Sequence, residues 1–191
     1  FSVMVQSGAN PSVYEPKTRQ MAALSTADIY FAVGVSCEQH WLEKFAEVNP
    51  GMRMVHTDDG IKKRVMTSHG HDEAPLLDQS SLDSPLHDHE HSGLDPHIWL
   101  SPRLVITQVE TMSRALMKAD PVHADQYEKN TREFISRIRM LDSELTRFFA
   151  DHADSAFMVF HPSWGYFADT YGLRQVPIEI EGKAPKPAQL R

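Results

Sequence analysis

Two stretches, Ile29-Tyr30-Phe31-Ala32-Val33-Gly34 and Met52-Arg53-Met54-Val55, flank a helical pattern from Glu38 to Val48. In that middle segment Trp41, Leu42 and Phe45 share one side, and Asn49-Pro50-Gly51 ends it. The first stretch is apolar without alternation and stops at a glycine. Such runs belong to parallel sheets covered on both faces. Parallel strands need a crossover between them, and the helix supplies it, so the segment reads as a βαβ unit.

Upstream, Phe1-Ser2-Val3-Met4-Val5 alternates at period 2 and is expected to be a strand ended by Gly8-Ala9-Asn10-Pro11. Pro16 suits the first turn of a helix reaching about Ser25, with Met21 and Leu24 inward. Downstream, Asp58 to Gly93 is a long polar segment, and a loop this long inside a compact domain is either functional or disordered. Ser101-Pro102 then opens a helix with Val105, Val109, Met112 and Leu116 as its stripe. Asp120-Pro121 ends it.

No Gly or Pro occurs between Pro121 and Pro162. A single helix to about Phe149 is expected there, with Tyr127, Phe134, Ile138, Leu141, Leu145 and Phe148 as one stripe, either bracing two lobes or lying across one domain. Ala156 to Phe160 is a second buried-strand run, ended by His161-Pro162. A short helix over 163–170 and a further strand over 173–178 follow. The reading is therefore α/β with parallel sheets.

At 191 residues, 41% apolar, the chain has enough material for a core and is one large domain or parts of two. A net charge of -7 argues against nucleic acid or an anionic membrane as main partner. No apolar run approaches the roughly 20 residues of a membrane helix. The chain starts at Phe1 and reads as a fragment without a signal peptide, which leaves export open. Cys37, the one cysteine, excludes an internal disulfide and reads as a buried thiol.

The chemistry concentrates between His69 and His97. Six of the eleven histidines and seven carboxylates lie there, with no Lys or Arg. Neutral imidazole is the commonest metal ligand, and negative charge draws cations in. His69, His71, His87, His89 and His91 sit among Ser, Gly and Asp, so weak, exchangeable binding is expected of them. The alternative is a solvated acidic loop. His97 differs: it lies between Pro96 and Ile98-Trp99 at the start of a helix, with Asp95 placed to orient it. His161 follows a buried strand directly, where open α/β sheets bind ligands. Each is a candidate ligand, and the alternative for each is a structural histidine.

Two other functions fit a metal-binding chain, a buffer or sensor built on the loop and a zinc-dependent hydrolase. Against the hydrolase, His69-Gly70-His71-Asp72 is followed by Glu73 where a metallo-hydrolase has Asp. His-Glu-x-x-His, Gly-x-Ser-x-Gly, Gly-x-Gly-x-x-Gly and phosphate loops are all absent from the sequence.

Five blocks resemble one family. They are Gly8-Ala9-Asn10-Pro11 with Tyr14-Glu15-Pro16, Ala27-Asp28 and its strand, Asp95 to Pro102, Phe160 to Phe167, and Glu179-Ile180-Glu181-Gly182-Lys183 with Pro185-Lys186-Pro187. Together they are similar to the zinc/manganese solute-binding proteins of bacterial ABC importers, the ZnuA-like group. The acidic histidine loop is closer to the zinc members.

That resemblance implies two α/β lobes joined by a long rigid helix, incomplete here, with a metal held in the cleft between them. It divides the chain into a partial first lobe at 1–119 carrying a His-rich loop at 68–95, a linking helix at 120–150, and the start of a second lobe at 151–191. It implies no enzymatic reaction, Zn²⁺ as cargo with Mn²⁺ possible, delivery to an ABC permease, and a periplasmic or extracytoplasmic place at the membrane. His97 and His161 match two of the family's four ligands. Ser12 stands where the family has histidine, with Glu15 close by as a substitute, and the final acidic ligand falls past Arg191. Missing outer strands expose sheet edges, so self-association is expected.

Overall fold

The computed structural model describes residues 1–9, 14–66 and 93–179. After α1 (Thr18–Leu24), the strand β1 (Ile29–Ala32) leads through α2 (Ser36–Val48) to β2 (Arg53–His56). The two strands are parallel, in register from Ile29 opposite Arg53 to Ala32 opposite His56. This is the βαβ unit expected from the apolar run. Its core is Leu24, Cys37, Trp41, Phe45 and Met52. Phe45 is the pivot, with its ring 5.2 Å from Tyr30 and 6.1 Å from Trp41.

The turn entering α2 is organised by one buried carboxylate. Glu38 accepts the N–H groups of Val33, Gly34 and Val35 at 3.0, 2.7 and 3.2 Å, and the Tyr30 hydroxyl at 3.0 Å. It thereby satisfies amides the helix cannot pair. Gly34 has φ +83°, which a side chain would strain.

Residues 1–5 do not form the expected strand. Met4 and Val5 pack against the first core, but among the described residues no strand pairs with their backbone. The Gln20 amide instead donates to the Val3 and Met4 carbonyls. α1 also begins two residues later than Pro16 suggested.

A short helical turn, Ile98–Leu100, precedes α3 (Pro102–Ala119). A second turn at Pro121–His123 precedes α4 (Ala124–Phe149). The 26 residues of α4 make a rod of about 39 Å. Arg103 bonds Asp142 at 3.0 Å and Thr131 bonds Ser113 at 2.8 Å, so α3 and α4 run antiparallel. The expected α4 stripe is rotated. Phe134, Leu141 and Phe148 are exposed, while Ile135 is buried and Thr131, Ile138, Asp142, Leu145 and Phe149 are half-buried.

The second βαβ unit is β3 (Ala156–Val159), α5 (Gly165–Tyr171) and β4 (Arg174–Pro177), again parallel, with Ala156 opposite Arg174. α5 ends on Gly172 at φ +67°. Phe149 joins α4 to α5 through Phe167 and Tyr171, each with ring centroids 5.7 Å away. The Tyr171 hydroxyl donates to Asp142 at 3.0 Å, on the carboxylate that also takes Arg103. Burial and this carboxylate push the Tyr171 phenol up. The result is two small parallel-sheet lobes with the α3–α4 pair between them. Among the described residues, no helix is long and apolar enough to cross a membrane.

Candidate metal centre

The chain reaches the site from two directions. From the first lobe, Met66 N–H donates to the Gly93 carbonyl at 3.1 Å and Asp95 N–H to the Arg64 carbonyl at 2.9 Å. Val65 and Leu94 form an antiparallel bridge between these bonds. The long polar segment is thus closed at its base, and its exit delivers Asp95-Pro96-His97. Ser101 stands at the cap position of α3 but does not cap it. Its hydroxyl lies 3.1 Å from that of Thr170 on α5.

Asp95 is 2% exposed. Its Oδ1 accepts both the backbone N–H of His97 at 3.0 Å and the ring Nδ1 at 2.7 Å. The orienting role read from the sequence is therefore present as a hydrogen bond. The His97 ring also packs edge-on against Trp99, with centroids 5.2 Å apart.

From the second lobe, His161 sits just beyond the carboxyl end of β3. Its Nδ1 lies 2.6 Å from Glu179 Oε1, just beyond the end of β4. Glu179 has 9% of its side chain exposed and His161 46%. Gln175 of β4 accepts the Trp164 N–H at 2.6 Å, which holds the start of α5 beside the same strand.

The two imidazoles meet. Their ring centroids are 5.1 Å apart and their planes cross at 70°. An ionised carboxylate only accepts hydrogen bonds, so each Nδ1 carries a proton, and in a neutral imidazole held this way the lone pair is on Nε2. A carboxylate on the far nitrogen is the usual support of a metal-binding histidine, since it sets tautomer and ring orientation. The pair joins one well-covered ring, His97, to one open to solvent, His161.

Among the described residues, no group of three or more His, Cys, Asp or Glu side chains forms a complete cage. The histidine pair supplies two donors. Glu15 is exposed on the segment before α1, and no described hydrogen bond or ion pair joins it to the pair. Ser12, His69, His71, His87, His89 and His91 lie outside the described residues. His123 pairs with Asp120 at 2.7 Å and His152 stacks on Phe148, both on the surface. Glu179 had no role assigned from the sequence. The available signal was topological: β3 and β4 are adjacent parallel strands, so residues following each share one edge.

Comparison with known proteins covers the entire chain. The family model described as "ZnuA: Zinc-uptake complex component A periplasmic" matches residues 1–191. The high-affinity zinc uptake system protein ZnuA of Bacillus subtilis (strain 168) is 32% identical over 180 residues, 92% of this chain and 53% of that protein. The zinc-binding protein AdcA of Streptococcus pyogenes serotype M6 is 27% identical over 186 residues, 96% of this chain and 36% of that protein. Among solved structures, a crystal structure of ZnuA superposes with a TM-score of 0.81 at 38% identity, covering 99% of this chain and 65% of that one. The chain thus spans about a third to a half of these curated relatives.

Proposed function

We propose that this chain, which belongs to the ZnuA family of zinc-uptake components, binds a divalent zinc ion between its two lobes through His97 and His161. The observation that carries the reading is the facing pair of imidazoles, one from each lobe, each with a carboxylate on its Nδ1. Nitrogen donors at about 2.0–2.1 Å suit Zn²⁺, whereas carboxylate and water oxygens suit Mn²⁺. The pair therefore favours zinc. The remaining positions are filled by water or by further donors. Glu15 and the histidines at 69, 71, 87, 89 and 91 are the candidates within the chain.

The boundaries follow the same reading, with a first lobe over 1–119, the linking helix over 120–150 and the start of a second lobe over 151–191. The ion is cargo and undergoes no reaction. It is held outside the cytoplasmic membrane and released to an ABC permease, as the family description and the relatives' names support. The acidic loop collects zinc loosely and raises its local concentration at the cleft, because its two ends meet beside Asp95 and His97. Zinc-edge X-ray absorption on the chain loaded with one equivalent tests the site. Two imidazole shells at about 2.0–2.1 Å are expected. A sphere of oxygens alone refutes it.

A further inference from the structure

The two histidines come from segments with no covalent link near the site, so something must hold them at one separation. One buried side chain ties those segments together. Tyr166, on the first turn of α5, is 6% exposed. Its hydroxyl donates to the Asp95 carbonyl at 2.7 Å and accepts the Arg64 N–H at 3.0 Å. It therefore grips both strands at the base of the loop. Asp95 is also the residue whose carboxylate orients His97, and Tyr166 lies five positions after His161.

The surroundings make the grip specific. The Arg64 guanidinium lies 5.9 Å from the Tyr166 ring centroid, and its Nη1 is 3.3 Å from Asp169 Oδ2. It packs directly on Gly165, where any Cβ would overlap it. Burial pushes the Tyr166 phenol up, so the hydroxyl keeps the proton it donates. Thr170, one turn later, makes a hydroxyl contact with Ser101 and donates to the Tyr166 carbonyl at 2.6 Å, and its hydroxyl bonds neither Asp95 nor a histidine.

We propose that Tyr166 is a positioning residue whose hydroxyl fixes the spacing of His97 and His161 across the two lobes. This rests on the reading of those histidines as the metal pair. Loss of the hydroxyl frees the Asp95 segment from α5 without removing a donor atom. The two imidazoles then explore separations that no single ion can span.

The test uses the full chain in four forms: wild type, Tyr166→Phe, Thr170→Val, and the double variant His97→Ala/His161→Ala. Each is titrated with zinc against a chelating indicator, and with Co²⁺ to record its visible ligand-field bands. Supporting residues of metal ligands typically carry 10–100-fold in affinity. Tyr166→Phe is expected to weaken zinc at least about tenfold and to change the Co²⁺ bands. Thr170→Val is expected to keep wild-type affinity and bands, even if its melting temperature falls.

Wild-type affinity and bands in Tyr166→Phe overturn the proposal. So does an affinity loss shared by Tyr166→Phe and Thr170→Val in proportion to their loss of apo stability. Retention of the tight site by the double variant removes the metal pair itself, and this proposal with it. Loss of that site in the double variant alone removes only the role of Tyr166. Should Tyr166→Phe not fold, Tyr166→Met takes its place, since a flexible thioether chain fills the space and removes the hydroxyl. A several-fold weakening is then expected, and unchanged affinity overturns the proposal.

Discussion

Replacing Glu179 by alanine separates metal binding from folding more cleanly than any other change near the site. The carboxylate lies 2.6 Å from His161 Nδ1, and it is 9% exposed while the ring is 46% exposed. In the free protein, a pair to a ring this open contributes at most about 1 kcal/mol. With an ion bound, the same contact fixes the proton on Nδ1, directs the Nε2 lone pair and supports the charge passed to the ring. Losing it should weaken zinc about 10–100-fold. At a fixed zinc excess this removes about 1.4–2.8 kcal/mol of zinc-induced stabilisation. Glu179→Gln keeps an acceptor but no charge and should fall between the two. The assay is a melting curve with and without zinc, beside a competition titration. Melting without zinc should move little, and the zinc-induced shift should shrink in the order wild type, Gln, Ala. Equal affinities for wild type and Glu179→Ala would refute the reasoning.

Other expectations follow from the same geometry. Removing residues 68–92 and closing the gap with a two-residue turn should leave the fold and one tight zinc site intact and abolish the weak sites. The Met66–Gly93 and Arg64–Asp95 bonds already bring the ends together, and dialysis equilibrium would read the stoichiometry. Phe45→Ala should destabilise the first lobe by about 3–5 kcal/mol in urea unfolding, because Phe45 is 1% exposed at the centre of its core. Tyr30, Tyr166 and Tyr171 all have phenols pushed up, chiefly by burial. The folded chain thus keeps protons that the unfolded chain loses above about pH 10. Stability from these groups is full below that pH and declines as pH rises past it, which alkaline denaturant titrations would show. Met158 on β3 and Phe160 just after it are 70% and 57% exposed, so light scattering should find self-association, reduced by Met158→Glu.

Much of the fold was legible because β1 and β3 lie in continuous apolar runs that end on Gly34 and on His161-Pro162. The failures have identifiable causes. Alternation over Phe1 to Val5 describes a side-chain pattern but cannot supply a partner strand, and the Gln20 amide takes those carbonyls instead. The α4 stripe was chosen by apolarity alone. The helix packs on both α3 and α5, so its covered face admits Thr131 and Asp142 and leaves Phe134, Leu141 and Phe148 outside. In the site, His97 and Asp95 were legible as neighbours. Glu179 is separated from His161 by 18 residues, and Tyr166 from Arg64 by 102. Contacts at such distances are made by topology, and no local pattern announces them.

The central claim is that two histidines, one from each lobe, hold the ion. Zinc titration of the His97→Ala/His161→Ala chain, at neutral pH beside wild type, tests it most directly. The account predicts that the tight site disappears while the weak capacity of the loop persists. A tight site surviving the double substitution would contradict it.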